Sequence, residues 1–218
     1  MAYTTIKKPS LHMNAKIYTG NGSTQSITGV GFQPDLVWGK NRSTTDSHSL
    51  YDAVRGVTKR LKSDSAGAET TQSNGVTAFG TDGFTVGDHG GVNGNGNNIA
   101  SWNWKANGAG SANTDGSITS TVSANTTAGF SISSFTGTGA NATFGHGLGA
   151  VPKMYILKRY DSSNNWRVYH ESIGNGKYMT LETTEAEQTS SGFTNNTSPT
   201  SSLISLGNLG SANPLLSP

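Results

Sequence analysis

The sequence predicts an all-β fold of two tandem antiparallel β-sandwich units, jelly-roll-like, with long loops of Gly, Asn, Ser and Thr. The first observation is an internal repeat, because residues 18–56 recur in modified form as residues 135–174. The second is a series of short alternating segments separated by turn residues, which is typical of sandwiches and barrels. The third is the lack of a segment with a convincing helical period. Proline, tyrosine and glycine keep one constant spacing between the copies: Pro34 with Pro152, Tyr51 with Tyr169, and Gly56 with Gly174.

The composition favours ordered β-structure with many tight turns over disorder. Apolar residues make up 32% of the chain and charged residues 13%, against usual shares of about 45–50% and about 25%. A disordered chain normally combines low hydrophobicity with a high net charge, whereas the net charge here is only +2. Threonine suits a pleated surface, and glycine and asparagine tolerate the positive φ of turns.

Several protein classes are excluded at this stage. A nucleic-acid binder needs a basic stripe, but the densest basic run is only Lys59, Arg60 and Lys62. No stretch of about 18 apolar residues is present, so no membrane insertion is expected, and the N-terminus lacks the apolar run of a signal peptide. Cysteine is absent, which excludes disulfides and cysteine-based zinc sites and favours assembly in a reducing cytoplasm.

Residues 1–14 are interpreted as an N-terminal arm or lead-in strand. Residues 3–7 alternate enough to form a short strand, which Pro9 would end. Such a strand can pair within its own unit or extend the sheet edge of a neighbouring chain. The residues assigned to this pairing are Tyr3, Thr5 and Ile6.

Residues 15–105 are predicted to form the first β-sandwich unit. Its closing strand places Trp102 and Trp104 on one face, because strand side chains alternate. Residues 65–72 are its best helical candidate, and a poor one. The strands are predicted at residues 16–19, 23–28, 35–40, 49–52, 58–63, 77–79, 84–86 and 99–105.

Residues 106–128 are interpreted as a Gly/Ser/Thr/Asn linker with one strand at 117–122 that can pack against either unit, and residues 129–218 as the second β-sandwich unit. The repeat stops before a counterpart of the 99–105 strand, so the closing strand is expected to be absent and a sheet edge exposed. Such edges are usually covered; residues 3–8, residues 117–122 and another subunit are the alternatives, with the first and last favoured. The strands of the second unit are predicted at residues 129–135, 142–144, 154–158, 166–169, 177–181 and 202–207.

No catalytic residue, metal site or cofactor is predicted. The five histidines show no HExxH or HxH spacing, and no GxSxG elbow is present. Residues 145–149 are interpreted as a tight β corner because no helix follows to complete a phosphate-binding loop. Residues 88–98 offer oxygen ligands but too few carboxylates for a calcium loop, so an ordinary Gly/Asn loop is favoured. Carboxylate pairs for glycoside hydrolysis could come from Asp161 and Glu171 or from Glu182 and Glu185, but their separations are not set by the sequence; residues 182–187 are interpreted as a solvated loop edge.

Most aromatic residues are assigned to the core, because units of this size and low hydrophobicity need them there. Trp166 lies beside a polar turn and is the better candidate for exposure. The residues proposed to contact a glycan or a protein partner are Trp166, His146, Tyr160 and Asn165.

The repeated pattern resembles a family of tandem β-domain proteins of tailed bacteriophages, especially those of marine and cyanobacterial hosts. The resemblance covers about residues 15–213, and its motifs are specific as a set although each alone is common. Family members are often longer, with more copies, which departs from this chain. The motifs are YTGNGSTQSITGVGFQPDLVWGKNRS, residues 51–56, IASWNWK, DGSITSTVSANTTAGFSI and GHGLGAVPKMYILKRYDSSNNWRVYHESIG.

The resemblance implies a non-enzymatic virion protein of the tail or tail fibre, located in the virion and assembled in the host cytoplasm. It implies no catalytic residues. We expect a homo-oligomer, with a trimer first among the symmetries, together with other virion proteins and a host-surface glycan as partners. A capsid decoration or head-fibre protein and a glycan-binding or glycan-degrading tail enzyme remain open as alternatives.

Overall fold

The computed structural model of the chain describes residues 6–213, which form two compact units. The first unit contains residues 6–62 and 69–110, and the second contains residues 63–68 and 111–213. Strands make up 38% of the residues and helices 7%, and every strand ladder is antiparallel. The all-β, sandwich-type fold predicted from the sequence is therefore confirmed.

The first unit is a sandwich of a four-stranded and a three-stranded sheet. A 3₁₀ turn at Pro9–Leu11 precedes it. Its elements are β1 (Met13–Thr19), β2 (Gln25–Ile27), β3 (Leu36–Asn41), β4 (Ser49–Asp52), β5 (Lys59–Arg60), β6 (Thr70–Thr71), β7 (Val76–Gly80), β8 (Gly83–Val86), α1 (Gly90–Asn93) and β9 (Asn98–Trp104). The sheets have the orders β1-β9-β3-β4 and β2-β8-β7, and β5 pairs with β6.

The core of the first unit lies between these two sheets. Val37 and Tyr51 come from the four-stranded sheet, and Ile27, Phe84 and Val86 come from the three-stranded sheet. All five are nearly inaccessible to solvent, as expected when side chains of period two alternate between core and solvent.

The second unit repeats this plan with a different sheet division. Its elements are β10 (Ser111–Asn113), β11 (Ser120–Asn125), β12 (Phe130–Phe135), β13 (Ala142–Gly145), β14 (Met154–Leu157), β15 (Arg167–His170), β16 (Lys177–Thr180), β17 (Gln188–Thr189), α2 (Ser191–Thr194) and β18 (Leu203–Leu206). The sheet orders are β10-β11-β12, β13-β18 and β14-β15-β16-β17. Phe144, Tyr169, Phe193 and Leu206 are central to its core.

Some local expectations differ from the structure. Residues 65–72 contain no helix, and β6, β10 and β17 had no recognisable signal because each spans only two or three residues. Residues 111–128, interpreted as linker, lie in the second unit. There β11 pairs with β12, and Ile118 forms a bridge with Phe144. The strand predicted at residues 117–122 therefore lies at residues 120–125 in the structure.

One buried asparagine holds the turn after the first strand in the first unit. The Asn93 side chain is 0% exposed. Its Oδ1 accepts a hydrogen bond from the Asn21 backbone N–H at 2.9 Å, and its Nδ2 donates to the Gly87 carbonyl oxygen at 2.7 Å and to the Ser23 carbonyl oxygen. The amide therefore joins the β1–β2 turn to the chain leaving β8.

Asn213 makes the same contacts in the second unit. It is also 0% exposed. Its Oδ1 accepts from the Thr138 N–H at 2.7 Å, and its Nδ2 donates to the carbonyl oxygens of Gly207, at 2.9 Å, and Ala140. The two units thus share a satisfied buried polar group, which is costly to disturb.

We expect Asn93→Ala to lower the free energy of unfolding by about 2–4 kcal/mol, because several buried backbone groups would lose their partner. Asn95→Ala is the matched control, since Asn95 is exposed in the following loop. Urea unfolding followed by tryptophan fluorescence measures both. Equal stabilities of the two variants would contradict a structural role for Asn93.

Candidate functional site

The candidate site is a groove in the second unit between β12 and β14. Each strand is the last of its sheet on that side, and within residues 6–213 no strand pairs with these two edges. Edge strands present rows of backbone donors and acceptors that can template another strand. The groove is lined chiefly by Ser133, Ser134, Phe135, Ile156, Leu157 and Lys158.

In the first unit, β9 occupies the place that corresponds to this groove. It pairs with β1 on one side and with β3 on the other. By the repeat, β12 corresponds to β1, and β14 corresponds to β3. The second unit therefore has both neighbours of a central strand without that strand among the described residues.

Apolar side chains are exposed along β14 and the segments that flank it. Val151 is 47% exposed, Met154 51%, Ile156 37% and Tyr160 38%. They are four of the six large hydrophobic residues that are exposed in the part of the chain that the structure describes. Contiguous apolar patches of this kind mark interaction sites more often than scattered ones do.

Charged groups at the groove are already engaged by the second unit itself. Lys158 Nζ donates to the carbonyl oxygens of Arg159 at 2.8 Å and Asn164 at 2.7 Å. Burial lowers the pKa of Lys158 to about 8, against the opposing attraction of Glu182 and Asp161. At the rim, Arg159 Nε lies 2.7 Å from Asp161 Oδ1, and this hydrogen bond lowers the pKa of Asp161.

Trp166 is buried, which corrects the expectation that it is exposed. Only 5% of it is accessible. Its indole Nε1 donates to the Ser65 carbonyl oxygen at 3.1 Å, and Lys158 Nζ lies 6.0 Å from the ring centroid. Ser65 belongs to the 63–68 segment of the second unit. The sequence showed a tryptophan beside a polar turn but could not show that this distant segment covers it.

His146 is also buried, so it is not available as a surface contact in this structure. It is 2% exposed. The Leu148 N–H donates to its Nδ1 at 3.2 Å, and its Nε2 lies 3.2 Å from the Thr200 carbonyl oxygen. This pattern fits a neutral ring protonated at Nε2, and burial accordingly lowers the pKa of His146. The histidine stabilises the Gly-rich corner at residues 145–149.

The other predicted contact residues fall in different places. Tyr160 is exposed at the groove, where its hydroxyl oxygen lies 3.4 Å from Ser134 Oγ. Asn165 is half-buried in the turn before β15. Tyr3 and Thr5 lie outside the described residues, and Ile6 is half-buried and outside any strand. The structure thus brings only Tyr160 of this set to the groove.

Sequence reasoning missed Met154 and Ile156 as site residues. Their alternation with Tyr155 and Leu157 was interpreted as an ordinary core strand. The available signal was the expected lack of a closing strand, because a strand without its neighbour exposes the face that the neighbour would cover.

The first unit carries an aromatic face on the side of its four-stranded sheet that is turned away from the core. Trp38 and Trp102 are directly opposite each other in register, and the ring centroids of Trp38 and Trp104 are 6.4 Å apart. Trp38 Nε1 donates to His48 Nδ1 at 2.8 Å. The three tryptophans are half-buried rather than enclosed in the core.

Of the four carboxylates considered for hydrolysis, Asp161 and Glu171 form ion pairs, whereas Glu182 accepts the Trp166 backbone N–H and Glu185 accepts from Gln188 Nε2. Asp161 pairs with Arg159, and Glu171 Oε2 lies 2.5 Å from Lys153 Nζ. Across the described range, 6–213, no three His, Asp or Glu residues are close enough to hold a metal ion.

No helix within the described range is long and apolar enough to cross a membrane.

Comparison with known families identifies the extent of the domain. The model of a domain of unknown function (DUF7483) matches residues 8–216, nearly the whole chain. Its description names no virion or tail-fibre role. No curated protein and no solved structure matches the chain.

We expect the stability to fall as the pH drops through about 6.5, because unfolded histidine then binds a proton that folded His146 resists. The Nδ1 atom that would take this proton already accepts the Leu148 N–H. In His146→Asn, the amide oxygen takes the place of Nδ1 and can accept the Leu148 N–H without titrating, so the stability should decline less between pH 8 and pH 5. Urea unfolding across this range measures both proteins. A residual slope from His89, whose pKa is also lowered by burial, should persist in each; identical slopes would contradict the role of His146.

Proposed function

The chain belongs to the DUF7483 family, and we propose that it is a non-enzymatic structural protein of a bacteriophage tail or tail fibre. In this proposal it is located in the virion, is assembled in the host cytoplasm and forms a homo-oligomer, with a trimer expected first. Other virion proteins are its further partners.

The observation that carries the proposal is the groove of the second unit between β12 and β14, whose facing edges pair with no strand within residues 6–213. Exposed edges are normally blocked by charge, bulges, proline or a covering segment. Here the edge of β14 instead bears exposed Met154 and Ile156. An edge of this kind favours permanent assembly with another chain. The resemblance of the residue pattern to tail-associated proteins of phages supports assembly within a virion.

Contact with a host-surface glycan is proposed as a further property of the same protein. The Ser/Thr/Asn-rich loops offer hydrogen-bonding groups at low net charge, and the half-buried Trp38 and Trp102 offer ring surface for stacking on sugars. Individual contacts of this type are weak, so repetition over an oligomer would supply avidity.

Gold-labelled antibodies against the chain, applied to virions of a phage that carries it, test the location. We expect label on the tail or its fibres, because the proposal makes the chain a permanent part of that structure. Virions of a phage without this chain are the control. Label confined to the capsid shell would replace the tail assignment with capsid decoration.

Deleting residues 1–8 tests the proposed arm. We expect the oligomer of the truncated chain to dissociate at a higher protein concentration than that of the full chain, because backbone pairing by an extended arm would be lost. A variant in which residues 1–8 are replaced by a Gly/Ser segment of equal length controls for chain length. Sedimentation velocity measures all three proteins; unchanged oligomers would count against the arm.

A further inference from the structure

We propose that the groove between β12 and β14 binds an extended strand of a partner protein, which completes the sheet of the second unit. The strand is uncharged, with small residues on its inner face and large apolar residues on its outer face. This inference rests on the proposed assembly function and specifies the chemistry of the partner.

The first unit shows how such a strand is seated. There the chain leaves α1 after Asn93 and enters β9, which lies between β1 and β3 with hydrogen-bonded partners on both sides. Asn213 makes the hydrogen bonds of Asn93 in the second unit. Because the surrounding framework is the same up to this point, the space between β12 and β14 is the counterpart of the β9 position.

The repeat also defines the register of the bound strand. Ala100 of β9 lies between Ile17 and Lys40. These residues correspond to Ser134 and Lys158 in the second unit. The bound strand should therefore run antiparallel to both β12 and β14, with one residue between Ser134 and Lys158.

We expect the partner strand to bear large apolar side chains at the outer face of the groove. In the first unit Trp102 lies opposite Trp38, and Trp104 lies opposite Leu36. The counterparts of Trp38 and Leu36 are Ile156 and Met154, which are 37% and 51% exposed. Aromatic residues at the two corresponding positions of the partner strand would cover both.

The inner face calls for small side chains. Asn103 of β9 lies opposite Val37 and is 0% exposed. The counterpart of Val37 is Tyr155, which is larger and stacks on Tyr169 with ring centroids 4.6 Å apart. A partner residue at this position therefore has less room than Asn103 has.

Charge excludes a basic strand. Lys158 lines the groove, and its position would place it beside the centre of the bound strand. A second cation there would be repelled. Residues 1–8 of a second copy fit less well for this reason, because they contain Lys7 and Lys8.

A peptide of residues 94–104 of this chain with Asn103→Ala, which contains the β9 sequence without a charged side chain and with a small residue opposite Tyr155, is the probe for binding to the full chain. We expect it to slow hydrogen exchange of the backbone amides in β12 and β14, since both edges would gain hydrogen bonds. The same peptide with Ser101→Pro is the control, because proline removes a donor and disrupts pairing. Protection by both peptides, or by neither, would overturn the inference.

Two matched variants distinguish peptide binding in the groove from nonspecific binding. Ile156→Lys places a cation where an apolar side chain should be covered, and we expect it to weaken peptide binding by about tenfold or more. Ile17→Lys makes the same change at an isoleucine that is 69% exposed in the first unit and should leave binding unchanged. Equal losses in the two variants would contradict binding in the groove.

A chain in which residues 214–218 are replaced by a second copy of residues 94–104 that carries Asn103→Ala provides an intramolecular test. Because Asn213 takes the place of Asn93, the added segment should enter the groove, raise the melting temperature of the second unit and abolish peptide binding. A version with Ser101→Pro in the added copy should do neither. Undiminished peptide binding to the chain whose added copy retains Ser101 would overturn the inference.

Two experimental results distinguish failure of the partner-strand inference from failure of the proposed tail function. If the peptide binds only after deletion of residues 1–8, the N-terminal arm of this chain fills the groove, which overturns the partner-strand inference; loss of the oligomer in the same deletion would show that the arm comes from a second copy and would support homo-oligomeric assembly. If the peptide binds the full chain while antibody label is lacking on phage tails, the groove inference stands and the tail function fails.

Discussion

The structure depends most on a buried amide that joins two segments of each unit that are far apart in sequence. Asn93 binds backbone groups of the turn after β1 and of the chain leaving β8. Asn213 binds backbone groups of the turn after β12 and of the chain leaving β18. A buried amide of this kind contributes little net energy when satisfied but leaves several orphaned groups when removed. It therefore specifies one path for loops that glycine alone would leave free. The path matters because it aims the chain toward the central position of the four-stranded sheet.

That central position explains why the two units differ. In the first unit β9 has a partner on each side and directs Ile99 into the core and Trp102 to the outer face. In the second unit the corresponding edges belong to separate sheets, and Met154 and Ile156 are left exposed. The same framework thus supports a closed sandwich with an aromatic outer face and an open sandwich with a groove.

The polar residues near the groove are organised by the second unit itself. Lys158 is held by backbone carbonyl oxygens, Trp166 is covered by the 63–68 segment, and His146 fixes the corner at 145–149 through both ring nitrogens. Groups that would have been natural candidates for ligand contact are engaged in structural hydrogen bonds. What remains accessible at the groove is backbone edge and apolar surface, which is suited to recognising another strand.

The sequence by itself determined the all-β class, the duplication and most strand positions, because period-two alternation and glycine or asparagine turns are local signals. Its repeat also indicated that a strand corresponding to residues 99–105 was lacking in the second copy. Tertiary structure alone decided that Trp166 and His146 are buried, that residues 111–128 join the second unit, and that Asn93 and Asn213 are structural. Each of these depends on contacts between residues far apart in the chain, such as Trp166 with Ser65 or Asn93 with Asn21. Local alternation cannot encode such contacts, because burial of a side chain is set by whichever distant segment packs against it.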